Sequence, residues 1–384
     1  MALPITSRQG LSHVPRKTSG TFEKIPIERV TVSSYTVPTS SPESDGTLQW
    51  QKTTLVLVTV RAAGQEGIGY SYADLATARL ISTMLAEVVE GQDAMSVTAI
   101  WSDMVQQARN LGRTSIVAMA ISAVDNALWD LKARCLNLPL VTLLGQVREE
   151  VEIYGSGGFT SYSLDQLQSQ LGGWVREGIR CVKMKIGRDP SADINRIAAA
   201  REAIGPEAQL FVDANGAYTR KQALHQAEEF VRFGVSWFEE PVVADDLEGL
   251  RLCRDRAPAV MDIAAGEYGY DLDYFKRMLD AGAVDVLQAD ATRCSGITGF
   301  MQIAALCQTY HVPLSAHCAP ALHAHPCCAA LPVRHIEYFH DHVRIEKMLF
   351  DGVLEPVDGK LRPDLSRPGL GLEFKEKDAV RFRD

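Results

Sequence analysis

Apolar and polar positions alternate along this chain in two different textures. The first opens with two strand-like runs, "RVTVSSYTV" from Arg29 and "TTLVLVTV" from Thr53, separated by "PTSSPESDGTLQW". That connector is rich in Pro, Ser and Gly and reads as a loop. "GQEGIGYSYA" reads as a Gly-rich turn, and two helix-period segments follow, "LATARLISTMLAEVVEG" and "SIVAMAISAVDNALWDLKARCLNLPL". In the second, Ala120, Val124, Ala127, Leu128 and Leu131 recur at helical spacing. The opening region is therefore expected to be α+β, a short sheet followed by helices.

The second texture begins near residue 150. Eight short apolar runs, "VEIYGS", "RCVKMKI", "QLFVDA", "VSWFEE", "MDIAAGE", "DVLQAD", "VPLSAH" and "RHIEYF", alternate with helix-period segments, several ending at Gly. Eight strands alternating with helices predict a parallel barrel, with open-sheet layouts as the alternative. No GxGxxG or GxxxxGK[ST] lies in a strand-to-helix turn, which lowers the dinucleotide-binding option. The expected division is a loose extension over 1–24, an α+β domain over 25–145, a barrel over 146–350 and a turn-rich tail over 351–384 that packs back on the first domain.

Composition narrows the partners. A chain of 384 residues can build two full cores. A net charge of -9 argues against a nucleic-acid surface. No apolar run approaches the roughly 20 residues of a membrane span, and the first 20 residues lack the apolar core of a signal peptide. Eight cysteines scattered through apolar segments suit reduced thiols and a cytoplasmic location.

Barrels of this kind collect their chemistry at the C-terminal strand ends. In order, those ends carry Lys183 and Lys185, Asp213, Glu239 with Glu240, Glu267, Asp290, His317 and Glu337. Any one reads equally well as a surface charge opening a loop; an unbroken series reads as a site. Asp213, Glu239 and Glu267 would point at one spot from neighbouring strands, where three carboxylates repel unless a cation joins them. Oxygen-only ligands favour a hard ion such as Mg²⁺; an ion-pair network with arginines is the competing reading. Glu240 follows Glu239 and is expected on the opposite strand face. Lys183 and Lys185, in "CVKMKIG", share one face. A lysine beside another cation and near a metal is expected to lose pKa and become a base, whereas two lysines snorkelling to solvent would be inert. Asp290 beside His317 would fix the imidazole tautomer and raise its basicity.

These residues resemble the mandelate racemase subgroup of the enolase superfamily, from about residue 25 to the end. The resemblance rests on "KMK" at 183–185, "VDAN" at 212–215, "WFEEP" at 237–241, "AAGE" at 264–267, "QAD" at 288–290, "SAH" at 315–317 and "IEY" at 336–338. It implies a modified (β/α)7β TIM-like barrel with an N-terminal α+β capping domain, and Mg²⁺ on Asp213, Glu239 and Glu267. It implies removal of the proton α to a carboxylate, giving an enediolate held by the metal, a chemistry for which a Lys or His base with Mg²⁺ is the recorded pattern. Lys185 would be the base on one face of the carbon, and His317 with Asp290 would serve the other. Lys183 would tune Lys185 and touch the substrate carboxylate. Glu337 would hydrogen-bond that carboxylate as a neutral acid, and Asn215 would contact a substrate hydroxyl. Where the lactonising and dipeptide-epimerising branches carry a lysine, Asp290 stands here, which argues against them. The resemblance also implies a homo-oligomer.

Two bases permit dehydration or racemisation. Dehydration of a sugar acid, eliminating a β-hydroxyl to a 2-keto-3-deoxy acid, is favoured because it is commoner in the subgroup and because the segment from Val37 to Trp50, which closes over the substrate in the family, is polar. Racemisation or epimerisation of a 2-hydroxy acid by the same pair is the alternative. A zinc site built from "HCAPALHAHPCC" (His317, Cys318, His323, His325, Cys327, Cys328) is a weaker competitor, since its spacing matches no ordinary structural zinc site. A non-catalytic barrel is disfavoured because no ligand or base is lost. His340 and His342 stand just past Glu337 and are assigned neither to the site nor to the surface.

Overall fold

The computed structural model describes residues 23–384; residues 1–22, most of the expected extension, lie outside them. The capping region opens with an antiparallel sheet of β1 (Arg29–Ser44), β2 (Gln49–Ala62) and β3 (Gln65–Tyr72), in that order. A two-residue turn at Ala63 and Gly64, both at positive φ, joins β2 to β3 as hairpin twist requires. The run "TTLVLVTV" is apolar nearly throughout because both faces of β2 are covered. Val56, Val58 and Val60 face the capping core, and Leu55 and Leu57 join the core shared with the barrel. The helix Ile116–Cys135 lies so close on β3 that a Cβ at Gly69 would sit 2.2 Å from Ala127 N.

Two local expectations change. The segment 38–50 is not one loop: after a bulge, pairing resumes with Glu43 opposite Trp50 and Ser44 opposite Gln49, leaving only a tight turn at the tip. The helix Val97–Gln107, unmarked in the sequence pattern, packs Val97, Ile100 and Met104 against the capping core. Its polar positions outnumber that stripe, which hid the period.

Eight parallel strands form the barrel: β4 (Val151–Gly157), β5 (Cys181–Lys185), β6 (Gln209–Asp213), β7 (Val235–Glu239), β8 (Asp262–Ala265), β9 (Val286–Ala289), β10 (Leu314–Ala316) and β11 (Val333–Phe339). Pairing of β11 with β4, His335 opposite Glu152, closes the ring. Residues i and i+2 of a strand share a face, so the barrel interior is layered. Tyr154, Phe211, Trp237 and His335 make a buried aromatic floor. Two residues further on, Ser156, Asp213, Glu239 and Glu337 make the polar layer above it. The helix His340–Leu349 follows β11 and ties to the cap through Tyr70 Oη, which donates to Glu346 Oε1 at 2.6 Å. The tail touches the cap through Arg134 and Glu373 (2.8 Å) and through the rings of Tyr35 and Phe374 (5.1 Å). Among the described residues no helix is long and apolar enough to cross a membrane.

Candidate active site

Every ionisable residue expected at a strand end is buried in or just above the polar layer. Asp213, Glu239 and Lys185 end their strands, and Glu267, Asp290 and His317 stand one or two residues beyond theirs. Carboxylate oxygens of Asp213, Glu239 and Glu267 lie within 4.8 Å of one another. Three buried oxygen donors at that spacing fit a hard divalent cation.

Protein cations hold the same acids. Lys183 Nζ lies 2.7 Å from both Glu239 oxygens, 2.8 Å from Glu337 and 3.4 Å from Asp213. Lys185 Nζ lies 2.5 Å from Asp213 Oδ2. The carboxylates act on both lysines in the direction opposite to a neighbouring cation. Burial works against each ammonium, but Asp213 around Lys185, and Glu239 with Glu337 around Lys183, outweigh it and raise both. The two lysines tolerate each other because carboxylates surround them.

Glu239 is pushed up to about 8 by burial and by Asp213. Burial also acts to raise Glu267, but His317 beside it holds it well below the usual range. Glu337 is not the expected neutral acid. Burial is outweighed by Lys183 and His317, so it is held ionised. Ser156 Oγ donates to its Oε1 at 2.6 Å. Glu240 does not lie across the strand from Glu239. The strand has ended, and Glu240 takes a left-handed φ of 38°. Burial and then Glu267 push its carboxyl up.

His317 Nδ1 lies 2.9 Å from Asp290 Oδ2, and its Nε2 lies 3.0 Å from Glu267 Oε2. Burial opposes the imidazolium, but Cys318, Glu267, Glu337 and Asp290 together raise the His317 pKa. Lys185, His317, Asn215, Glu267 and Glu337 line one cavity of about 370 Å³. Asn215 presents an unpartnered buried Oδ1 there while its backbone N–H donates to Asp213 Oδ1 at 2.9 Å. Lys183 is fully buried beneath this cavity and outside its lining; touching a substrate would require it to release Glu239 or Glu337. The opposite wall comes from the cap, with Asp45, Trp50, Lys52, Thr53 and Thr54.

The six residues of "HCAPALHAHPCC" do not gather into one zinc site; of them only His317 and Cys318 lie in a close group of donors, with Glu337. His323 accepts from Ala291 N (2.8 Å) through Nε2 and donates to Cys318 O (2.9 Å) through Nδ1. His325 similarly bridges Val141 N and Leu370 O. Both rings are spent on backbone groups away from Cys327 and Cys328. His342 does reach the cavity, stacked on Tyr72 with centroids 3.4 Å apart, and burial pushes its pKa down to about 3. His340 is outside the lining and packs edge-on to Phe159.

Residues 28–145 match the family model of the mandelate racemase / muconate lactonizing enzyme N-terminal domain, and residues 166–379 match that of the enolase C-terminal domain-like family. The chain belongs to the mandelate racemase / muconate lactonizing enzyme family of the enolase superfamily. A solved mandelate racemase/muconate lactonizing enzyme-like protein from Rubrobacter xylanophilus is 55% identical, with TM-score 0.92 over 94% of this chain and 100% of that one. L-talarate/galactarate dehydratase of Salmonella typhimurium is 32% identical over 91% of this chain and 89% of its own. Its structure liganded with Mg and L-lyxarohydroxamate superposes with TM-score 0.87, at 30% identity, over 98% of this chain and 97% of that one. D-galactarolactone cycloisomerase of Agrobacterium fabrum is 33% identical over 76% of this chain and 81% of its own.

In this family member, two residues at the site carried no signal in the strand-end series. Ser156 ends the run "VEIYGS" but is not ionisable, so the series of ionisable strand ends passed over it. Arg293 lies 3.8 Å from Asp290 and 4.0 Å from Glu267. It is three residues past Asp290 in a loop, a spacing that marks a neighbour only once the backbone turns.

Proposed function

We propose that the protein is a Mg²⁺-dependent sugar-acid dehydratase. The observation that carries this is the meeting of Lys185 and the Asp290–His317 pair on one cavity, at the edge of the three-acid cluster. Mg²⁺ held by Asp213, Glu239 and Glu267 would neutralise charge developing on the substrate carboxylate and withdraw the Asp213 charge that keeps Lys185 protonated. Lys185 then takes the proton α to the carboxylate. Asp290 at Nδ1 favours the charged imidazole, and His317 gives its Nε2 proton to the β-hydroxyl, which leaves as water. The enol that remains tautomerises to a 2-keto-3-deoxy acid. Asn215 and Glu337 orient the substrate, and Lys183 lowers the Glu337 pKa from below. The polar cap wall, with Lys52 at its rim, suits a polyhydroxylated acid and offers positive charge to a second carboxylate. The dehydratase named among the relatives supports the same reaction class.

The same reading carries the division at 145/146 and 350/351, a homo-oligomer and a cytoplasmic location, the last supported by eight free thiols. Racemisation of a 2-hydroxy acid remains the second reading, because Lys185 and His317 could exchange protons at one carbon. A panel of mono- and diacid sugars, assayed with Mg²⁺ for 2-keto product, separates the two. Keto product from at least one diacid is expected. No product across the panel, together with racemisation of a 2-hydroxy acid, would reverse the ranking.

A further inference from the structure

Beside the hard-cation acids stands a second donor set of different chemistry. His317 Nε2, Cys318 Sγ and a Glu337 oxygen are all buried and mutually close. Nε2 to Sγ is 3.3 Å, Sγ to Oε2 is 3.4 Å, and Nε2 to Oε2 is 3.6 Å. Tetrahedral coordination at about 2.3 Å for thiolate and about 2.0 Å for imidazole and carboxylate gives donor–donor edges of roughly 3.3–3.6 Å. The three edges of one face of that tetrahedron are already at this spacing, and the three residues line the cavity on which the fourth position would open.

The supporting groups also match. Metal-binding imidazoles are commonly oriented by a carboxylate on the other ring nitrogen, and Asp290 occupies that place at 2.9 Å from Nδ1. Glu337 is fixed through its other oxygen by Ser156 (2.6 Å) and Lys183 (2.8 Å), and the Cys318 backbone N–H donates to Oε2 at 3.1 Å. A mixed N, S, O set selects borderline-soft ions, whereas the neighbouring all-oxygen set selects hard ones.

We infer that His317, Cys318 and Glu337 form an inhibitory site for Zn²⁺ and similar thiophilic divalent ions, at the edge of the Mg²⁺ acids, where Nε2 also faces Glu267 Oε2 at 3.0 Å. Binding converts the Cys318 thiol to a thiolate and takes the Nε2 lone pair of neutral His317; the thiol proton and any Nε2 proton leave to solvent. No redox change is involved. The occupied imidazole can neither accept nor deliver a proton, so a thiophilic ion switches the enzyme off reversibly.

Co²⁺, spectroscopically visible where Zn²⁺ is silent, tests this on the full chain in excess Mg²⁺. A thiolate-to-cobalt charge-transfer band should grow to one equivalent, bleach on adding Zn²⁺, and vanish in C318S. H317N, which keeps the thiol, should weaken cobalt binding by about tenfold or more. No thiolate band in the wild type, a band that persists in C318S, or unchanged affinity in H317N would each overturn the site. The readout is binding, so it stands or falls independently of the dehydratase reading.

Discussion

Lys185 and His317 present different kinds of proton chemistry to one cavity. Lys185 is gripped by Asp213 alone, whereas His317 is held by Asp290 on one nitrogen and faces Glu267 with the other. If Lys185 takes the α-proton and His317 protonates the leaving hydroxyl, their variants separate. H317N keeps a side-chain donor for Asp290, so geometry persists. It should lose net dehydration by roughly 10²–10⁴-fold, yet still exchange the substrate α-proton in D₂O. K185A should lose both. Proton NMR of recovered substrate reads the exchange; exchange that survives in K185A and dies in H317N would swap the roles. At this scale the sequence was informative because strand alternation is rigid: once a residue ends a barrel strand, its direction follows. Charge was less legible. The expected fall in the Lys185 pKa weighed Lys183 and a nearby metal but not Asp213, 28 positions on, which together with the other acids outweighs burial in the folded chain. Glu337 was misjudged for the same reason, since Lys183 lies 154 positions away in sequence and 2.8 Å away in space.

At the scale of the element, the tip of the β1–β2 hairpin forms the lid side of the cavity. Glu43 is buried there, accepts from Trp50 Nε1 at 3.0 Å, and faces Asp341 and Arg344 from the helix after β11. Burial, then Asp341, pushes its carboxyl up to about 8 from 4.5. With the docked pKa raised, the docked tip holds a proton that the undocked one releases. Docking is therefore fully favoured below about 4.5, weakens as pH rises toward 8, and levels off above it. Hydrogen exchange at Asp45–Leu48, corrected for intrinsic pH dependence, should rise over that window in the wild type and stay flat in E43Q, which cannot ionise. A flat wild-type profile would remove Glu43 as the cause. The Pro, Ser and Gly content of this stretch pointed to a loop because composition reports turns but not the bulge after which pairing resumes.

At the scale of the molecule, the cap does more than roof the barrel, because its long helix finishes one of the barrel's own. The helix Gly296–Tyr310 follows the strand that delivers Asp290, and its first N–H groups have no partner within it. Ser122, Asp125 and Asn126, on one face of Ile116–Cys135, supply them. Ser122 Oγ accepts from Gly296 N (3.0 Å), Asn126 Oδ1 from Ile297 N (3.0 Å) and Asp125 Oδ2 from Thr298 N (2.8 Å), while Thr298 Oγ1 donates to Asp125 Oδ1 (2.7 Å). Asn126 and Ser71 also grip the carbonyls of Ala291 and Thr292 just after Asp290. No sequence pattern announces a cap assembled across 170 or so positions, since each residue reads alone as a polar interruption of a helix. D125A leaves the Thr298 N–H and hydroxyl buried without that partner and should cost about 1–3 kcal/mol. Burial lifts the Asp125 pKa to about 7 from 3.8, so its contribution is full below about 3.8 and is lost as pH rises through 7. The fall in unfolding midpoint between wild type and D125A should therefore be larger at pH 5 than at pH 8 by calorimetry. An equal fall at both would show that hydrogen bonding alone carries the junction, and no fall at either would show that the two units hold together without it.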